Sequence, residues 1–301
     1  MEQKTLGGSR TGISRRGLLK VGGAGGVLVA ASALAAACNS NSTASASNTP
    51  APSVSKLQKI RTSKQLVVAT SGQEKPNSYR DTSGNLTGYF VDVAQQMATD
   101  LGATPMYVSP SGSGMLAGVK AGQIDIISEA VTNTPTRALS YFFSNPYYPS
   151  LTVLLVRKAD KKASYDDYNQ SSVKVAAELG STQASYLSFY FPKAQADLLT
   201  GVSTVALEVS SGRAAGAVMD SADASSYIHS NPDVTYFSLD NPLGFEYGAL
   251  VSQYGDWEFK NWIDEWTRYW NARGFFQTTY DKYYNSILPA QLLSTLKIPR
   301  Y

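Results

Sequence analysis

The sequence has a single cysteine, Cys38, and a single histidine, His229, among its 301 residues. A disulfide needs two cysteines, so none can form within this chain. His229 lies in the polar segment IHSNPD, which is typical of a surface position, and no histidines and cysteines stand at metal-site spacing. We therefore predict neither a metal nor a cofactor.

The sequence also lacks an apolar run of the ~20 residues that a membrane-spanning helix needs. Its best candidate, residues 21–37, is 17 residues long and rich in glycine and alanine. The motif SRRGLLK, which contains Arg15 and Arg16, comes just before this run and resembles the twin-arginine export signal. We predict that residues 1–37 are an export signal peptide; the alternative is a basic patch beside an amphipathic helix.

The apolar run ends in LAAAC, so that Cys38 directly follows three alanines. This arrangement resembles a lipoprotein processing site, and lipidation would consume the one thiol of an exported chain. The alternative is a secreted protein that is cut near Ala37. Residues 39–55 contain no charged and no aromatic residue and so cannot bury enough surface to fold. We predict that residues 38–61 are the lipidated cysteine and a flexible tether.

Basic residues exceed acidic residues by three over the whole chain, but this excess lies in the predicted signal peptide. Residues 1–37 contain five of the 26 basic residues and one of the 23 acidic residues, which leaves 21 and 22 in the remainder. A near-neutral domain without a cluster of lysine and arginine lacks the phosphate neutralisation on which nucleic-acid binding depends. We therefore predict no nucleic-acid partner.

Short apolar runs alternate with helical patterns along the rest of the chain. The strand-like LVVAT, residues 66–70, precedes an amphipathic stripe at Val91, Ala94, Met97, Ala98 and Leu101. The longest β-rich run is LTVLLVR, residues 151–157, and another strand pattern covers residues 246–252. Alternation of this kind predicts an α/β fold.

Six segments carry a resemblance to a known family. They are GNLTGYFVDVAQQMATDLGA (residues 84–103), AGQIDII (121–127), VTNTPTRALSYFFSNPYY (131–148), GSTQASYL (180–187), SGRAAGAVMD (211–220) and WNARGFFQTTYDKYY (270–284). In content and order they resemble the bacterial extracellular solute-binding proteins of family 3, which serve polar amino-acid ABC transporters. The resemblance covers nearly all of residues 62–286.

This resemblance implies a two-lobed fold of the type II periplasmic-binding-protein class, with a ligand cleft between lobes that two hinge strands join. The first lobe would contain residues 62–156 plus 246–301, and the second lobe residues 157–245. Such proteins close around their ligand by hinge motion. The implied protein is a monomer, periplasmic or otherwise extracytoplasmic and lipid-anchored to the membrane, with an amino-acid ligand and with ABC permease and ATPase subunits as partners.

The resemblance also implies ligand-binding residues. Arg137 stands at the end of a Thr-x-x-Pro-x-Arg motif that begins at Thr132, and it matches the family's carboxylate-binding arginine. A guanidinium can donate two parallel hydrogen bonds to a carboxylate, and Thr132 would add a hydroxyl. Ser181 and Thr182, at the predicted start of a helix, would contribute further donors to the same group. The alternatives are an exposed arginine and a plain helix cap.

Asp220 matches the family's carboxylate for the ligand's α-ammonium group, although an N-cap of the following helix is the alternative. Glu129, Ala130 and Asn77 complete the predicted ligand-binding set. Glu129 either faces a cationic or amide-bearing ligand or is an exposed carboxylate at a strand end. Asn77 and Gly112 stand where the family has aromatic residues, which implies a wider and more polar pocket.

The alternative function is enzymatic, because periplasmic dehydratases that act on prephenate or arogenate share this fold. Those enzymes carry a glutamate just after the second-lobe Gly-Thr turn, where this chain has Gln183, and an amide cannot transfer a proton. Asp92 and Asp125 are interpreted as architectural residues. We therefore predict a binding protein without catalytic residues.

Overall fold

The computed structural model describes residues 54–301. The predicted signal peptide, with Arg15 and Arg16, and the predicted lipidation site, Cys38, lie outside the described residues. The helices are α1 (Lys56–Ser63), α2 (Tyr89–Leu101), α3 (Gly112–Lys120), α4 (Pro135–Ala138), α5 (Thr182–Tyr190), α6 (Val202–Ser210), α7 (Ser221–Ser230), α8 (Trp257–Ala272), α9 (Phe275–Tyr284) and α10 (Ala290–Thr295). The strands are β1 (Gln65–Ala69), β2 (Tyr79–Arg80), β3 (Leu86–Thr87), β4 (Thr104–Val108), β5 (Ile126–Ile127), β6 (Tyr141–Phe143), β7 (Tyr148–Arg157), β8 (Lys174–Glu178), β9 (Gln195–Leu199), β10 (Gly216–Asp220), β11 (Val234–Tyr236), β12 (Gly244–Gly248) and β13 (Val251–Gln253).

The strands form two large sheets, in agreement with the predicted α/β fold. The first sheet has the order β4-β1-β5-β13-β6, in which β1 is parallel to β4 and β5, and β13 is antiparallel to its neighbours. The second has the order β11-β7-β10-β8-β9, with β12 also paired to β7. Here β10, β8 and β9 are parallel, whereas β7 runs antiparallel to β10, β11 and β12. Strands β2 and β3 form a separate ribbon.

The chain passes between the two sheets twice. It leaves the first sheet after β6 and enters the second at β7, and it returns between β12 and β13. The first lobe was predicted to extend to residue 156, but β7 pairs along its length with strands of the second sheet. Nine of its ten residues are buried, as is typical of a central strand that is covered on both faces. The boundaries of the lobes stay a prediction.

Helix α1 begins within the predicted tether. Ile60 is buried, the hydroxyl of Ser55 donates to Oδ1 of Asp256 over 2.8 Å, and Lys56 Nζ pairs with Asp125 Oδ1 at 2.6 Å. The prediction that residues 56–61 belong to a flexible tether is therefore wrong, because this segment has its own apolar anchor and an ion pair to the folded domain. The same ion pair confirms that Asp125 is architectural.

Helix α2 contributes eight buried residues to the core. The predicted apolar stripe is confirmed, since Val91, Ala94, Met97, Ala98 and Leu101 are all buried. Beside it lies a cluster of buried tyrosines whose rings are in contact: Tyr89, Tyr147, Tyr148, Tyr280 and Tyr284. The Tyr89 hydroxyl donates to the Tyr147 carbonyl over 2.5 Å. Helix α9 is thereby packed against the first crossing between the sheets.

The start of α2 requires a glycine. Gly88 has φ +129°, and a Cβ on it would lie 2.3 Å from the carbonyl oxygen of Asn77. The N–H groups of Tyr89 and Phe90 donate to the carbonyls of Pro76 and Asn77, which fixes this loop on the helix N-terminus. Gly88 therefore sets the position of Asn77.

Candidate functional site

A cavity of about 420 Å³ lies between the two sheets. The first-sheet side contributes residues from the loop before β2, from the start of α3 and from the segment after β5, together with Arg137. The second-sheet side contributes the ends of β8 and β10 and the segments that follow β8 and β9. All eight predicted ligand-binding residues line this cavity: Asn77, Glu129, Ala130, Thr132, Arg137, Ser181, Thr182 and Asp220.

Arg137 lies in the short helix α4, where Thr134 is the N-cap and Pro135 takes the first helical position. Its guanidinium donates from Nη1 to the carbonyl of Thr132 over 3.0 Å and from Nη2 to the carbonyl of Gly180 over 3.2 Å. The second bond crosses from one side of the cavity to the other. Burial lowers the pKa of Arg137, and the nearby Glu246 carboxylate opposes that shift. Since a guanidinium has five N–H donors, it retains donors for a ligand carboxylate.

The predicted hydroxyl donors meet across the cavity. Thr132 Oγ1 lies 3.3 Å from Thr182 Oγ1, and the Thr182 hydroxyl donates to Oε2 of Glu246 over 3.0 Å. Ser181 is the N-cap of α5, because its hydroxyl oxygen accepts from the Ala184 N–H over 3.1 Å. Ser181 thus fulfils the capping alternative while it also lines the cavity.

Asp220, like Ser181, both caps a helix and lines the cavity. It is the N-cap of α7 and accepts from the Ala222 N–H over 2.7 Å, and it also accepts from the hydroxyls of Ser150 and Tyr148. Burial raises the pKa of Asp220, and these hydrogen bonds act in the opposite sense. A role in binding an ammonium group stays a prediction.

Glu129 is not an exposed carboxylate at a strand end, since only 7% of it is accessible. Its Oε1 accepts from the hydroxyl of Thr70 and the N–H of Ser71, both over 2.6 Å, and from the hydroxyl of Ser78 over 2.8 Å. Burial raises the pKa of Glu129 despite these donors. Glu129 therefore forms part of the cavity wall, and Ala130 follows it there.

Three further carboxyl groups line the cavity, although none of them was predicted from the sequence: Glu74, Glu178 and Asp223. Burial and the neighbouring carboxyl groups raise the pKa of Glu74 to about 8. Burial raises the pKa of Glu178, and burial together with Glu74 raises the pKa of Asp223 well above its ordinary value. The sequence contained a signal for one of them: Asp223 lies one helical turn after the predicted site residue Asp220, at the start of α7.

Among residues 54–301, no group of three or more histidine, cysteine or acidic side chains is arranged to hold a metal ion. None of the helices described for this chain is long and apolar enough to cross a membrane.

The sequence profile of the bacterial extracellular solute-binding proteins, family 3, matches residues 66–286. Two curated relatives show how this similarity is distributed. The probable ABC transporter extracellular-binding protein YckB of Bacillus subtilis is 38% identical over 34% of this chain and 37% of its own length, so only part of it is matched. Cyclohexadienyl dehydratase of Pseudomonas aeruginosa is 25% identical over 70% of this chain and 80% of its own length.

A solved structure is similar over most of the described residues. The ancestral amino acid-binding protein AncCDT-1, described as a precursor of cyclohexadienyl dehydratase, has 31% sequence identity and a TM-score of 0.70. The match covers 76% of this chain and 100% of that one. The similarity therefore extends over both sheets and the cavity between them.

Proposed function

Because the chain belongs to the bacterial extracellular solute-binding proteins of family 3, we propose that it is the substrate-binding component of an ABC importer. Its ligand is a small polar amino acid or a close derivative, held in the cavity between the two sheets. The observation that carries this proposal is the placement of the Arg137 guanidinium and the Asp220 carboxylate in the walls of one cavity. A zwitterionic ligand carries one negative and one positive charge, and these two side chains supply the opposite charge for each.

The carboxylate of the ligand binds Arg137, with the Thr132 hydroxyl and the backbone N–H of Thr182 at the start of α5 as further donors, and Ser181 caps this helix. A guanidinium matches a planar carboxylate better than a lysine would, because its N–H groups are fixed in one plane. The α-ammonium group of the ligand binds Asp220, which ties it to the second-sheet side. A ligand held from both sides favours the closed arrangement of the lobes, which is the form that we propose the permease recognises.

Delivery to a permease requires the protein to stay near a membrane outside the cytoplasm. We propose export through residues 1–37, lipidation of Cys38 and attachment of a monomer through the residues between Cys38 and helix α1. The partners are then a permease and an ATPase subunit of the same transporter.

A dehydratase remains the second candidate function, because one relative is a cyclohexadienyl dehydratase and the cavity contains carboxyl groups with raised pKa values. Such groups can hold a proton near neutral pH. Gln183, however, donates from its side-chain amide to Glu246 over 3.5 Å, and an amide is too weak an acid to transfer a proton to a substrate. We propose that the chain is not an enzyme.

Thermal unfolding of the purified protein with neutral, acidic and cationic amino acids, and with prephenate, tests this proposal. A ligand present at 100 times its Kd stabilises the folded state by ~2.7 kcal/mol, which moves the midpoint by several degrees. An increase with one class of amino acid supports the binding function. No response to any amino acid, together with consumption of prephenate, would establish the dehydratase instead.

A further inference from the structure

The charges that line the cavity are unequal. Five carboxyl groups face it, from Glu74, Glu129, Glu178, Asp220 and Asp223, whereas Arg137 is the one cationic side chain that the described residues contribute to it. None of the five takes part in any of the ion pairs found within residues 54–301. A neutral amino acid would bring one ammonium group and one carboxylate, and it would leave this imbalance unchanged.

Burial makes the imbalance costly. Glu129 and Asp220 are only 7% and 8% accessible, and a buried carboxylate without a cation is unfavourable unless it is protonated or paired. Both of these residues accept several hydrogen bonds from the protein. These hydrogen bonds hold both carboxyl groups in the cavity walls even when no ligand is bound.

The other three carboxyl groups have fewer donors. Asp223 accepts a hydrogen bond from the side-chain amide of Asn77 over 2.7 Å. The N–H of Gly201 is the one group that lowers the pKa of Glu178 against burial, and the Ser71 side chain has this effect on Glu74. A carboxylate can accept about four hydrogen bonds, so these three retain unused acceptor positions. They also influence one another, because Glu74 and Glu178 both raise the pKa of Asp223.

Gly112 lies next to one of these groups. A Cβ added to Gly112 would lie 3.7 Å from Oε1 of Glu178, which is ordinary van der Waals contact. A larger side chain at position 112 would lie against this carboxylate, whereas Gly112 and Glu178 both line the cavity of about 420 Å³.

We infer that the ligand is an amino acid whose side chain carries a second positive charge, an amine or a guanidinium, which Glu74, Glu178 and Asp223 bind. This inference rests on the proposed function, since Arg137 and Asp220 hold the amino-acid end. The second charge then meets the carboxyl groups that the protein itself leaves without a cation.

Titration calorimetry on the purified full chain with L-lysine, L-arginine and L-glutamine tests the inference. We expect lysine or arginine to bind with an affinity at least 30-fold higher than that of glutamine, because each desolvated charge pair contributes strongly. In the Glu74→Gln variant, this ratio of affinities should fall by about tenfold or more. The matched control is Glu265→Gln, which removes an exposed carboxylate on α8 and should keep the ratio of the unmodified protein.

A second measurement needs no variant. Burial and the neighbouring carboxyl groups raise the pKa of Glu74 to about 8, so we expect a bound cation to displace a proton from it at pH 7. Calorimetry in buffers of different ionisation enthalpy should therefore show proton release when lysine or arginine binds.

Glutamine affinity equal to or above that of lysine and arginine would overturn the inference, and so would an unchanged ratio of affinities in Glu74→Gln. If glutamine binds and the cationic amino acids do not, the proposed function stands and only this inference fails. If no amino acid of any charge binds, the proposed function itself fails.

Discussion

The side-chain amide of Asn77 donates to Oδ1 of Asp223 over 2.7 Å, and Oδ1 of Asn77 accepts from the Tyr284 hydroxyl over 2.5 Å. Asn77 thus joins the loop before β2, the helix α9 near the C-terminal end and the helix α7 beside the second sheet. Only 2% of Asn77 is accessible. One short amide therefore connects the two sides of the cavity and orients one of its carboxyl groups.

We expect Asn77→Ala to lower the free energy of unfolding by about 1–3 kcal/mol, because it removes the hydrogen-bond partner of the buried Tyr284 hydroxyl and of the partly buried Asp223 carboxyl group. Urea unfolding measures this change. The control is Asn85→Ala, which removes an exposed amide and should change stability by less than about 0.5 kcal/mol. Equal effects of the two substitutions would show that the Asn77 bridge does not stabilise the fold.

Arg137→Ala should reduce the affinity for the amino-acid ligand by roughly 30-fold or more while the protein still folds, because the Arg137 guanidinium donates to two backbone carbonyls and pairs with no carboxylate among the described residues. Arg137→Lys should also bind weakly, since an ammonium group cannot form two parallel hydrogen bonds. Calorimetry with the best ligand gives the affinities, and thermal unfolding reports the fold. Arg268→Ala, at an exposed ion pair, is the matched control. Full affinity in Arg137→Ala would exclude the carboxylate-binding role.

The stability of the ligand-free protein should depend on Glu74 and pH. Burial and the carboxyl groups of Glu129, Glu178 and Asp220 raise its pKa from 4.5 to about 8. Asp223, whose own pKa Glu74 raises, faces it as well. The resulting contribution to stability is fully present below pH 4.5 and is lost as the pH rises through 8, because the unfolded chain releases this proton first.

Between pH 5 and 8 the midpoint of thermal unfolding should therefore fall less in Glu74→Gln than in the unmodified protein. Glu265→Gln should follow the unmodified protein over the same range. Identical pH profiles for all three proteins would show that Glu74 has an ordinary pKa in the folded state.

Gly88→Ala should be strongly destabilising, by roughly 2 kcal/mol or more, because a Cβ at this φ of +129° would clash with the Asn77 backbone at 2.3 Å. Gly84→Ala separates the effect of the positive φ from the effect of the steric clash. Gly84 also has a positive φ, +83°, but a Cβ there would meet no atom within 4 Å, so its cost should be only about 1 kcal/mol. Urea unfolding of both variants measures the difference, and equal values would place the whole effect in the dihedral angle.

Local apolar patterns predicted the α/β fold, and the resemblance of several segments to the family predicted a set of eight residues that all line one cavity. Arg137 follows a proline turn, and Asp220 ends an apolar strand. Glu74, Glu178 and Asp223 have no such pattern in common, and only the tertiary arrangement brings a loop, a strand end and a helix turn together. Helix α1 was missed for a similar reason, since Lys56 finds Asp125 only in the folded domain.

The pairing of β7 with β12 has a consequence for the order of folding. The first and last residues of this antiparallel pair, Tyr148 and Gly248, lie opposite each other in register. Strands β6 and β13, which pair through Phe143 and Val251, are separated by more than one hundred residues along the chain. Once the second sheet has formed, the effective loop between them shrinks to a few residues, which lowers its closure entropy cost by roughly 2 kcal/mol. We expect backbone amides of the second sheet to gain protection from exchange before those of β6 and β13. Folding of the second sheet would then bring together the two strands that complete the first sheet.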